Sequence, residues 1–335
     1  MAWRLCIDQG LRLFPVVCFG SVVSICEQGQ KIRKKDFRIE EHHHGKTRVR
    51  VLKVRPDENP VTMNEYKVQT TLWSPKVYEK VFTKGDNTDL VATDTQKNTV
   101  YVVAKRTAAR TPEDFGIALA EHFIREYPIL TKVEVEVEEA GWKRYSSDGI
   151  EHNHSFLRVA PERDAAVITL IRNQAPVIVS QLRGMTFIKT TQSGFENHLK
   201  DKYTLLPDVT ERCLASELSA EWHYIPNSSW GGLSSKSKPI NYAAIRRSVR
   251  ASLEAALFGP AETGHYSPSL QNTIYDAACL ALDAVPAISK IAIDTPNLHY
   301  LPANLLKQVG ESFSDDVFIP TNEPSGSIFC CVTRN

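Results

Sequence analysis

The chain has 335 residues, with 40 basic and 39 acidic side chains and a formal net charge of +1. That length allows two domains, and the balanced charge gives no general attraction to nucleic acid or to an acidic membrane surface. No apolar run is long enough to span a bilayer. The seven cysteines, odd in number and without a CxxC pair, read as reduced thiols rather than a disulfide frame or a zinc site.

Leu13 to Cys26 (LFPVVCFGSVVSIC) is apolar and follows Arg4 and Arg12, the pattern of a signal-peptide core. The basic run Lys31 to Lys35 then breaks that pattern. Residues 1–43 are therefore read as an extension ahead of the folded part, with a cleaved signal as the alternative. His42, His43 and His44 close this segment and are read as solvated and irregular. Neighbouring strand residues point to opposite faces, so three consecutive histidines make a poor chelate.

Lys46 opens a strand in which Val49, Val51 and Val54 lie among basic residues, and Tyr66 to Trp73 forms its hairpin partner. In residues 90–106 (LVATDTQKNTVYVVAKR), Thr93 and Asp94 stand where apolar sequence turns polar, and Asp94 can cap a helix. Thr111-Pro112-Glu113-Asp114 is a helix start, with cap, proline and acids in their favoured places. Phe115, Leu119 and Phe123 make its apolar stripe, and His122 is read as a packed core histidine. Val133 to Glu138 alternates strictly, giving one buried and one wet strand face. His152 and His154 share a strand face but have no third ligand at recognisable spacing.

Strands follow at Ala165 to Ile171, Val177 to Leu182 and Leu214 to Tyr224, then a Ser/Gly/Pro loop over 225–240. Asn241 caps a helix with Ile245, Val249, Leu253 and Leu257, stopped by Gly259-Pro260. Ser267-Pro268 starts a second helix that ends before Pro286. Ile291 and Ile293 form a short strand, and Ser327 to Val332 a last one. The order of strands, helix and strands occurs twice, which predicts tandem α+β domains, each an antiparallel sheet with helices on one face. Sheets of this kind leave edges that association into a closed oligomer would cover.

Within the second half, between the strands Val177 to Leu182 and Leu214 to Tyr224, lies KTTQSGFENHLKDKYTLLPDVTER (189–212). Phe195 offers a ring for stacking, and Arg212 offers a planar fork for bidentate capture. A flat, anionic heterocycle needs both. Taken alone, these residue types fit a connecting loop with a packed phenylalanine and a solvated arginine more readily.

Six segments together carry a resemblance: GKTRVRVLKV (45–54), LVATDTQKNTVYVVAKR (90–106), HNHSF (152–156), residues 189–212, YSPSLQNTIYD (266–276) and PNLHYLPANL (296–305). From about Gly45 to about Val332 the chain resembles the urate oxidase (uricase) family. The resemblance implies two tandem tunnelling-fold (T-fold) domains, 44–173 and 174–335, in subunits that assemble as a homotetrameric barrel with active sites at subunit interfaces. It implies urate and O2 as substrates, with no metal or organic cofactor. It implies that Phe195 stacks on the purine, Arg212 and Gln271 clamp its edges, and the backbone at Leu270 adds a contact. Asn297 would lie above the ring, and Ile328 would wall the oxygen side. Lys46, Thr93 and His299 would relay protons, with Thr93 and Asp94 reaching in from a neighbouring subunit.

The implied compartment is the peroxisome, although the sequence ends at Asn335 without a Ser-Lys-Leu type tripeptide; the cytoplasm is the alternative. Two other functions are weighed: a pterin-type T-fold enzyme, which would need zinc and a glutamate, and a catalytically silent purine-binding relative.

Overall fold

Valines at every second position of Val133–Val137 are fully buried, while the intervening Glu134 and Glu136 are half-exposed. This alternation repeats across neighbouring strands and gives the sheet one dry and one wet face. The computed structural model describes residues 37–225, 240–312 and 316–334. Leu13 to Cys26, Lys31 to Lys35, three of the seven cysteines and nearly all of the 225–240 loop lie outside the described residues. Glu41–Asn335 form one compact unit.

The elements of that unit are β1 (His44–Arg55), β2 (Thr62–Trp73), α1 (Pro75–Lys84), α2 (Thr93–Arg106), α3 (Pro112–Glu126), β3 (Lys132–Ser147), β4 (Ile150–Ile171), β5 (Val177–Lys189), β6 (Leu214–Tyr224), α4 (Tyr242–Phe258), α5 (Leu270–Ala284), β7 (Ile288–Pro302), α6 (Leu305–Gln308), β8 (Phe318–Thr321) and β9 (Ser327–Thr333). The strands form one antiparallel sheet in the order β1 to β8, with β9 also paired to β7. Register places Val68, Val137, Ala166, Ser180, Trp222 and Ile291 side by side. The helices cover this face, with Phe115, Leu119 and Phe123 of α3 and Val249, Leu253 and Leu257 of α4 in the same core. The architecture is α+β, an antiparallel sheet with helices packed against it.

A buried ion pair joins the helices of the two halves. Glu113 of α3 is fully buried and lies 2.6 Å from the Arg246 guanidinium of α4. Arg246 also donates to Asp164 and to the carbonyls of Gln181 and Ala165. The Ser180 hydroxyl donates to Glu113 and lies 2.7 Å from the Tyr224 hydroxyl. Removing one partner of such a pair costs roughly 3–5 kcal/mol, because the other charge is left buried and alone.

Several sequence expectations need correction. Asp94 does not cap α2, which starts at Thr93 with Ala92 before it. Its carboxylate instead takes Lys97 and Asn98 within the first turn. The histidine triplet is irregular and partly solvated as expected only at His42 and His43, of which His43 is exposed, whereas His44 is in a strand. His44 opens β1 with its ring 2.7 Å from the Val91 carbonyl, and the three rings lie against Phe82, Trp73 and Tyr78. His122 is half-buried rather than core. The helix expected from Ser267-Pro268 starts at Leu270 with Ser269 as its cap. The strand around Ile291 and Ile293 runs for 15 residues, and α1, α6 and β8 were not anticipated.

Glu139 of β3 accepts a hydrogen bond from Asn64, and burial, with Asp164 nearby, pushes its carboxyl from the ordinary 4.5 up to about 7. A raised acid favours the folded state while protonated and loses that contribution as pH climbs through its folded pKa. Glu139→Gln stays neutral, so its stability relative to the unsubstituted chain should improve by about 1–3 kcal/mol between about pH 5 and about pH 8. Denaturant melts at the two pH values check this. A difference independent of pH would contradict it.

Candidate active site

The loop after β5 folds back on itself so that residues far apart in sequence meet. Phe195 and Val209 exchange backbone hydrogen bonds of 2.7 and 3.0 Å, and the Arg212 amide donates to the Ser193 carbonyl at 2.8 Å. The Arg212 guanidinium carbon consequently lies 5.4 Å from the centroid of the Phe195 ring. Its Nε is buried without a partner, and burial lowers its pKa from the ordinary arginine value. The His198 ring also stacks on Phe195, with centroids 5.2 Å apart, and its Nδ1 lies 3.3 Å from Asp208.

The segment before α5 is tied to the same loop. Gly194 donates to the Ser267 carbonyl, and Ser267 donates to the Gln192 carbonyl, both at 2.9 Å. The Tyr266 hydroxyl donates to the Thr210 carbonyl. These bonds bring the start of α5, with buried Leu270 and exposed Gln271, to the loop that carries Phe195 and Arg212. No acid sits in the first turn of α5, so its amide donors and positive dipole end face no local carboxylate.

Asn297 of β7 pairs with Ser216 of β6, four residues beyond Arg212. Its amide donates to the Gly326 carbonyl, and its Oδ1 is buried without a partner. A Cβ at Gly326 would fall 3.1 Å from Asn297 Nδ2 and 3.9 Å from Ile328 Cδ1, so Asn297 and Ile328 flank this glycine. His299 lies two residues further along β7, opposite Thr321 of β8.

Lys46, Thr93 and Asp94 form a separate group. Gly45 permits the close approach of β1 to β2, since a Cβ there would meet the Thr70 carbonyl oxygen at 2.0 Å. The register shifts just after Lys46, where Arg48 has φ 59°. Lys46 lies opposite Thr70, whose hydroxyl donates to Gln96 of α2. This contact holds the first turn of α2 beside β1. The Asp94 carboxyl is held below its ordinary range, mainly by Lys97, with a smaller contribution from Lys46.

The two groups do not meet within one chain. Five strands separate β1 from β7, roughly 30 Å along the sheet. The expected relay of Lys46, Thr93 and His299 is therefore divided between opposite ends of the sheet. Among the described residues, no cluster of three or more His, Cys, Asp or Glu is arranged to hold a metal, and no helix is long and apolar enough to cross a membrane. A cavity of about 370 Å³ on the open sheet face is lined by Arg163, Arg183, Glu217, Glu221 and Asp294, and none of the candidate residues line it.

A family model described as Uricase matches residues 42–169 and 178–329. The chain belongs to the uricase family. It is 39% identical over 298 residues to Uricase-2 isozyme 2 of Glycine max, covering 88% of this chain and 94% of that protein. It is 35% identical over 295 residues to Uricase of Danio rerio, covering 87% and 93%. The crystal structure of uricase from Arthrobacter globiformis superposes with a TM-score of 0.77 at 30% identity, covering 89% of this chain and 95% of that one.

Within this family member, the sequence reading passed over His198 and Tyr266. Both stand inside motifs that it had quoted, but stacking and carbonyl capture depend on loop closure, which spacing alone does not give. Gly194 makes that closure possible, because a Cβ there would meet the Tyr266 hydroxyl at 2.1 Å and the Val209 carbonyl at 3.0 Å. Gly194→Ala should cost about 1–3 kcal/mol by overpacking, read as a lower denaturant midpoint. An unchanged midpoint would show that the loop relaxes freely.

Proposed function

We propose that the chain is a urate oxidase, which oxidises urate with O2 and water to 5-hydroxyisourate and hydrogen peroxide without a metal or organic cofactor. Membership of the uricase family supports the activity. The observation that carries the site assignment is the Phe195–Arg212 pair, a ring and an adjacent guanidinium whose Nε is buried and unpartnered.

In this reading Phe195 stacks on the purine. Arg212 and Gln271 address its two edges, and the Leu270 amide adds a donor. Such directed groups discriminate between purines, because a wrong edge leaves buried partners unpaired. Asn297 and Ile328 bound the space above the ring where O2 or water binds. Urate is a monoanion near neutral pH, and triplet O2 reacts poorly with closed-shell molecules, so the substrate must become a better electron donor. Lys46, working with Thr93 and His299, removes the second proton, a role that a lysine fills when it is desolvated or beside another cation. The dianion gives two electrons to O2. Water then adds to the oxidised ring; the proton it gives up and the one taken by the base go to the reduced oxygen, which leaves as hydrogen peroxide.

Residues divided between β1 and β7 work together only when two copies meet edge to edge. Exposed Leu52 and Val54 on β1, Phe329 on β9, and Tyr275 and Leu280 on α5 supply apolar surface at those edges. We therefore propose a homotetramer of two-domain subunits, divided at 173/174, with sites at the interfaces. The peroxisomal assignment, with the cytoplasm as alternative, rests on the family alone.

Purified, chelator-treated protein should consume urate with one peroxide released per urate. Lys46→Met should slow turnover by ~10²–10⁴-fold while changing the affinity for a urate analogue by less than about threefold. Analogue binding without turnover in the unsubstituted protein would indicate the silent relative instead. Neither binding nor turnover would overturn the assignment.

A further inference from the structure

We infer that His198 is a positioning residue of the proposed purine site: its ring backs the Phe195 ring, so that Phe195 meets the substrate already oriented and with one face free. The inference rests on the urate reading and extends it to a residue outside the candidate set.

The backbone at Phe195 is fixed by its exchange of hydrogen bonds with Val209, but backbone bonds leave a side chain its choice of rotamer. His198 narrows that choice. Its ring lies nearly parallel to Phe195, with 13° between the planes and 5.2 Å between the centroids, an offset stack. The local chain is shaped to bring it there. Asn197 has φ 57°, in the left-handed region that asparagine tolerates better than most residues. Its amide donates to Asp208 Oδ1 at 3.0 Å, and this turn returns His198 to the Phe195 ring.

The imidazole is held at both nitrogens, with Nε2 3.2 Å from the Leu206 carbonyl and Nδ1 3.3 Å from Asp208 Oδ1. The second contact is electrostatic, because Nδ1 is buried without an aligned hydrogen-bond partner. Lys200 also donates to Asp208 and is the main cause that holds its carboxyl below the ordinary range, with His198 a smaller one. General apolar packing does not account for the stack. Leu199 and Leu205 on the same loop are each 94% exposed, whereas the His198 side chain is only 13% exposed. The loop thus leaves its leucines in water and covers the one ring that lies against Phe195. A ring has two faces. His198 takes one of them, so a purine stacked on Phe195 uses the other, and His198 does not touch it. Ordering a side chain only when the ligand arrives weakens binding, and a neighbour that orders it beforehand removes that cost.

The test compares KM and kcat for urate and the Kd for 8-azaxanthine in the full chain. His198→Ala removes the stack, and His198→Phe keeps a stacked ring without the two polar contacts. Asp208→Asn keeps an acceptor for the Asn197 amide and removes the charge beside Nδ1. The alanine variant should raise KM and Kd by about three- to tenfold, with kcat changed by less than about twofold. The phenylalanine variant should restore both constants to within about twofold. Asp208→Asn should raise KM by about twofold and have no further effect in the His198→Phe background. A merely structural role would reduce the folded fraction instead, lowering kcat at unchanged KM. That result, or unchanged constants in the alanine variant, overturns the inference and leaves the urate reading standing. Tighter analogue binding by the alanine variant would put His198 on the substrate face and overturn it as well. If the alanine variant fails to fold, Asp208→Asn in the two backgrounds carries the test. Failure of the unsubstituted protein either to turn over urate or to bind the analogue would overturn both readings.

Discussion

The sheet has two ends, and several residues of the proposed site lie toward them. Interior strands of an antiparallel sheet satisfy their backbone donors and acceptors on both sides, whereas edge strands leave one side open. Here β1 ends one side and β9 lies along β7 at the other. Lys46 lies within β1, and Thr93 and Asp94 pack beside it on α2. Asn297 and Ile328 belong to β7 and β9. In the proposed assembly, a partner strand at an open edge would bring these residues with it.

On the helix face a buried polar network ties the two halves together. Glu113 and Arg246 connect α3 to α4 over the middle of the sheet, with Ser180, Tyr224 and Asp164 completing the network. A desolvated charge pair is a weak source of net stability, but it penalises arrangements that separate its members. The two helical layers are thereby held in one relation over the sheet. On the loop side, Gly194 and the Tyr266 hydroxyl fix how closely the Phe195 segment approaches α5. Together these contacts bring Arg212, Leu270 and Gln271 into one neighbourhood although 58 residues separate Arg212 from Leu270.

Much of the fold was legible from local pattern. The β6 strand, the α4 helix with its Asn241 cap and the Thr111 cap of α3 followed from alternation, four-residue spacing and capping chemistry. Other features were not legible because long-range contacts decide them. His42 to His44 look solvated in sequence, yet each ring lies against an aromatic residue of β2 or α1, although His43 stays exposed. The strand through Ile291 and Ile293 continues to Pro302 because β6, β8 and β9 extend its pairing, which overrides the two prolines within its sequence. Phe195 and Arg212 read more readily as ordinary loop residues from their types alone. Only the backbone bridge between Phe195 and Val209 shows why they face each other.

The most direct test of a site completed across the sheet edges is complementation between two inactive variants. Lys46→Met disables the β1 part of the proposed site, and Arg212→Met disables the part on the Phe195 loop. Each purified alone should retain at most about a hundredth of the unsubstituted activity. Unfolded together and co-assembled in equal amounts, they should regain about a quarter of the unsubstituted activity, since random pairing of edges leaves about that share of sites with both residues native. If the mixture stays as inactive as its parts while its assembly matches that of the unsubstituted protein, the site does not draw on two chains, and the account of the edges is wrong.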